Sequence, residues 1–268
     1  MVDGQETRET EQFNEAGVTI GQVQAVIGEL STPKKAPKPA MHFPLDHGTL
    51  LKALKASVKP SGGPSNGGLD NNMWAAVVDR YGVVRAVCYT GAELGDQWPG
   101  SRAIAIEKAN TANALSLPSF AFSTANLYSG SQPGGFLFGL PATSPVDTAS
   151  MYAGDPAQYG TPDDAMVGKK GSGVVVFGGG LALYDGNTIV GALGVSGDTS
   201  CGDHNVAWRV RKRLGLDKVP AGITAENNDA IIYDIGMMGK SSSGYGHPKS
   251  GLKEDDVAKE IGASADGK

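Results

Sequence analysis

The chain has 268 residues, 40% hydrophobic and 19% charged, with 39 glycines and a formal net charge of -5, so it can bury a core and is not disordered throughout. It carries no basic field to hold a polyphosphate backbone and no apolar run near the ~20 residues that span a bilayer, which excludes nucleic acid and a membrane span. Two cysteines, Cys88 and Cys201, supply neither a disulfide framework nor a four-thiolate metal site.

Residues 1–40 read as an arm that ends in a Pro/Lys linker, since the prolines of 33–39 favour extended chain. Within the arm, Val23, Val26, Ile27 and Leu30 fall on one helical stripe. Its acidic start, with Asp3, Glu6, Glu9 and Glu11, is unlike a secretory leader. The cytoplasm is the expected compartment, or the periplasm if a signal peptide has been removed.

A domain is expected over 41–240. Leu50, Leu51, Leu54 and Val58 recur at helical spacing before the Pro60 to Pro64 breaker. Trp74 to Val78 and Val83 to Tyr89 flank an Asp79-Arg80-Tyr81-Gly82 turn as a hairpin. A long helix runs from Gly100 through Leu115 with a stripe of Ala105, Ala109, Ala112 and Leu115, small enough to lie close on a sheet or a partner helix. Residues 128–173 are loop-rich and proline-punctuated, which reads as an insertion. Leu181 to Tyr184 and Thr188 to Val195 surround Asp185-Gly186-Asn187, a second hairpin. A last helix carries Val206, Val210 and Leu214, and 241–268, poor in large apolar residues, reads as a flexible tail. The order predicts an α+β fold with a mainly antiparallel sheet.

The chemistry concentrates at the junction from Gly194 to His204. A strand ends there, and Ser196, Gly197, Thr199 and Ser200 lead into a helix whose first N–H groups attract a carboxylate. Cys201, Asp203 and His204 follow within one turn, a thiol, an acid and an imidazole that could move protons or attack. Arg102 and Lys108 on the long helix are candidate partners for ligand carboxylates. A purely capping role for Asp198 or Thr199, with His204 bonded to a neighbouring carbonyl, accounts for the same residues. Arg102 and Lys108 also read as a solvated face, as do Arg209, Arg211 and Arg213. His42 and His47 straddle Pro44 at a spacing unlike a zinc site, and His247 falls in the tail.

Ala76-Val77-Val78-Asp79 with Gly82, Lys108-Ala109 with Thr111-Ala112, Gly179-Gly180, and Gly191-Ala192-Leu193-Gly194-Val195-Ser196-Gly197 together resemble the GlcG/HbpS heme-binding family, seen also as the C-terminal domain of PduO-type proteins. The resemblance covers about Leu45 to Leu214. It implies a profilin-like α-β-α layer, a homo-oligomer, and heme or another planar or acidic small molecule as ligand. With no Cys-x-x-Cys-His, heme would be held non-covalently, by His204, Tyr128 or Met151 as axial group and Arg102 or Lys108 at the propionates. Two other functions stay open. One is a cofactor-independent lyase or isomerase acting on a small carboxylic acid through Cys201, His204 and Asp203; the other is a structural oligomer without ligand.

Overall fold

The computed structural model describes residues 43–267, and the arm expected over 1–40 lies outside them. Helix α1, His47–Lys55, starts at Asp46, whose carboxylate accepts the N–H of Thr49 at 2.7 Å, and it buries Leu50, Ala53 and Leu54. Strands β1, Trp74–Asp79, and β2, Val84–Tyr89, pair antiparallel. Their turn is held by the Asp79 carboxylate, which accepts N–H groups from Tyr81 and Val83 and pairs with Arg85.

Helix α2, Ser101–Leu115, then crosses the sheet, and β3, Gly180–Asp185, and β4, Thr188–Ser196, form the second hairpin. Helix α3, Ser200–Arg213, follows β4 directly. The strand order is β2-β1-β4-β3 with every neighbouring pair antiparallel. The expected α+β class and antiparallel sheet are both present.

Alternation along the strands separates two cores. Ala75, Val77, Leu193 and Val195 face α1 and α3, where they meet Leu50, Leu54, Val206 and Val210. Trp74, Ala76, Val78 and Ala192 face α2 and meet Ala105, Ile106, Ala109 and Ala112. The alanine stripe is therefore consumed by this chain's own sheet, not by a partner helix. Gly194 shows how close the layers come: a Cβ there would lie 1.9 Å from the carbonyl oxygen of Ala105.

Two expectations are corrected. The segment read as a flexible tail is folded: α4, Glu254–Ile261, packs on α3, and His247, Glu254, Ala258 and Ala263 are buried. Polar anchors hold it where large apolar side chains are few. Glu254 accepts the N–H groups of Gly251 and Leu252, and Asn205 of α3 donates to the carbonyl of Glu254. The charges read as solvated faces also divide. Arg211 is buried and forked onto Asp229, with both N···O distances 2.7 Å, whereas Lys212 and Arg213 are exposed.

Candidate functional site

Strand β4 ends at Ser196, and Gly197 carries the chain on with φ 144°, in the left-handed half of backbone space. A Cβ at Gly197 would also lie 2.7 Å from the carbonyl oxygen of Asn72. Backbone conformation and the approach of Asn72 both require glycine here. Thr199 caps α3 by accepting the N–H of Gly202 at 3.1 Å.

Two of the chain's own carboxylates flank the helix start that the sequence marks as a carboxylate site. The Asp198 carboxylate accepts N–H groups from Leu69, Asn71 and Thr199 and from the Asn66 side chain. Asp203 accepts the N–H of Asp198 at 2.8 Å and meets the Lys108 ammonium at 2.6 Å. Lys108 also donates to the carbonyl of Val195, so one buried ion pair ties α2, the end of β4 and α3 together. Burial pushes the Asp203 carboxyl up, to about 6, while the Lys108 charge opposes that shift.

Arg102 does not face solvent. It is buried, with Nε 2.9 Å from Asp164 in the insertion, and its guanidinium lies 3.8 Å from the centre of the Tyr159 ring. Met151 is packed into the core on the α2 side, where its carbonyl accepts from Arg102. Ser196 is buried and bonds to Ser101 at 3.2 Å. Ser200, by contrast, is half-buried at the start of α3.

The structure does bring Cys201, Asp203 and His204 together within one turn of α3, all three buried. Their chemistry differs from the expected triad. The Cys201 thiol donates to the carbonyl of Pro248 at 3.3 Å, and burial pushes its pKa up. His247, 3.7 Å from that sulfur, is already engaged on both sides: Nε2 accepts the N–H of Gly178, and Nδ1 donates to the carbonyl of Pro248. Burial lowers its pKa to about 4, so at neutral pH it is an uncharged ring with no free base. A thiolate–imidazolium pair is absent here. We expect iodoacetamide to leave Cys88 and Cys201 unmodified in the native protein and to alkylate both in denaturant; rapid native labelling of Cys201 would refute this.

His204 is the exception in this polar network. It is fully buried, and neither ring nitrogen makes a well-formed hydrogen bond among the described residues, although the main chain of Ala263 is close enough to act on the ring as a hydrogen-bond acceptor. Burial lowers its pKa to about 3, the positive charge of Arg211 acts in the same direction, and the main chain of Ala263 opposes it. Its ring lies 5.9 Å from that of Trp208, one turn along α3. Gly178 lies directly against it, since a Cβ at Gly178 would come within 3.0 Å of the His204 Cβ. Tyr128, half-buried, instead touches His247 and Phe177, with ring centres 5.4 Å and 5.8 Å away.

The sequence reading missed Asp164, Trp208 and His247. Asp164 and His247 meet their partners over separations of 62 and 69 residues, which no local pattern marks. Trp208 had a signal: it lies four residues after His204 on the same helix face.

The chain is a layered α+β domain in which the buried Lys108–Asp203 ion pair closes the start of α3. Residues 66–211, more than half of the chain, match the family model described as haem degrading protein HbpS-like, and the chain belongs to that family. It is similar to the solved ORFY protein of Klebsiella pneumoniae, at 20% identity over 64% of this chain and 90% of that one, with TM-score 0.43. A PduOC haem complex is 22% identical, covering 62% and 89% with TM-score 0.42. HbpS is 17% identical, covering 63% and 88% with TM-score 0.36. No curated protein matches. Among the described residues, no helix is long and apolar enough to cross a membrane, and no group of three or more His, Cys, Asp or Glu side chains is arranged to hold a metal ion.

Proposed function

We propose that this chain is a small-ligand-binding protein of the HbpS type, with haem as the ligand and His204 as its axial donor. One observation carries the reading: a fully buried imidazole neither of whose nitrogens makes a well-formed hydrogen bond among the described residues, with the main chain of Ala263 as a weak partner. Buried polar groups are nearly always paired, so a poorly paired one marks a place where another group is accommodated. Its depressed pKa keeps it neutral, the form that ligates iron.

The donor fits haem, but it is fully buried and the cations expected at the propionates are engaged elsewhere. Arg102 and Lys108 are committed to Asp164 and Asp203 and are not free for propionates. Both His247 and Ala263, which act on His204, belong to the C-terminal segment. His204 is fully buried, so haem can reach it only if the segment that covers it shifts. The lyase or isomerase reading has less behind it, because Cys201 and Asp203 are both buried and already bonded within the chain.

Titration of the full chain with hemin should give a saturable Soret band of an imidazole-ligated iron, and His204→Ala should lose that ligation. A His204→Ala protein with unchanged spectrum and affinity, differing only in melting temperature, would refute the assignment. No saturable Soret change in the parent chain would remove haem altogether.

A further inference from the structure

A second feature lies on the outer side of α3. A cavity of about 550 Å³ has apolar walls from Pro64, Trp208 and Ile261. Its charged groups are Arg209, Lys212 and Arg213, with Glu260 as the one carboxylate. None of the three cations forms an ion pair within 4.0 Å among the described residues, in a chain whose net charge is -5. The size is that of a small-molecule site.

The apolar wall is fixed in place. Trp208 touches the ring of His204, with 5.9 Å between ring centres, and the guanidinium of Arg211, 4.6 Å from its ring centre. Arg211 is in turn locked by Asp229, so the indole is a rigid platform. Arg209 is half-buried and spends one N–H on the carbonyl of Ser65 at 2.8 Å, which orients the guanidinium and leaves other donors free. Burial and the neighbouring Arg213 both disfavour its charge, and Glu260 and Asp70 only partly offset them. A helix dipole accounts for cations in the last turn, Lys212 and Arg213, but not for Arg209 one turn earlier.

We propose that this cavity binds a planar aromatic carboxylate, its ring against Trp208 and its carboxylate held by Arg209 and Arg213, with Lys212 adding positive charge. An apolar floor selects against simple inorganic anions, and guanidinium forks suit a carboxylate. An aromatic wall favours a flat ring over a saturated one. The inference does not depend on haem binding: a chain that fails to ligate haem through His204 can still hold this ligand.

Isothermal titration calorimetry of the full chain with terephthalate tests it, with cyclohexane dicarboxylate as the saturated ligand of equal charge. Terephthalate should bind saturably and more tightly than the saturated acid. Arg213→Gln, at an exposed position that leaves the fold intact, and Arg209→Gln should each weaken it about tenfold, the loss of one charge-assisted contact. Three results overturn the proposal: no saturable heat with terephthalate, equal affinity for the saturated acid, or unchanged affinity in a folded Arg213→Gln protein.

Discussion

Asp164→Ala should lower the free energy of unfolding by about 3–5 kcal/mol, the range for breaking a buried ion pair. The substitution leaves the Arg102 guanidinium uncompensated in a site from which water is excluded. It also removes the acceptor for the N–H groups of Gly160 and Met166, which Asp164 binds at 2.8 Å and 2.9 Å. The cost follows from stranding a charge, so replacing both partners should cost far less than replacing one. Arg102→Met with Asp164→Leu is the comparison, and urea unfolding of the three chains measures it. A single variant within about 1 kcal/mol of the parent would show that the pair does not hold the insertion to α2.

Gly194→Val should cost about 3 kcal/mol, the upper part of the range for overpacking, or about 6–12 °C in melting temperature for a domain of this size. The added carbons would meet the carbonyl oxygen of Ala105 and, at 2.6 Å, the amide nitrogen of Ala109. Both are helix backbone, which cannot swing aside as a side chain would. Gly194 was read from the sequence as part of a ligand site, and the structure gives it a packing role against α2. A folded Gly194→Val protein with parental stability and reduced ligand affinity would restore the sequence reading.

The sheet and its main helices were legible because their signals are local. Asp185-Gly186 between apolar runs forces a hairpin, and the alternation of 74–78 and 188–195 fixes which side chains face each layer. The junction from Gly194 to His204 was likewise legible as a strand end followed by a capped helix. What fills it was not, since Asp198 takes its donors from Asn66, Leu69 and Asn71, about 130 residues earlier. The C-terminal helix did carry a local signal. Glu254, Asp255 and Asp256 open it and Gly262 closes it in the left-handed conformation, a start and stop pattern outweighed by the polar composition around it.

The two sides of the sheet differ in what determines their spacing. Where Gly194 meets Ala105 and Ala109 of α2, main chain lies against main chain, and no side chain at that contact can grow without pushing the helix away. On the side of α1 and α3, leucine, valine and methionine fill the space and can exchange volume with one another. Freedom to vary is therefore divided unequally: a protein engineer could redraw much of one layer, while the other accepts substitution mainly on its outer surface. Lineages that diverge from this chain while keeping its fold would accumulate their core differences on the α1 and α3 side.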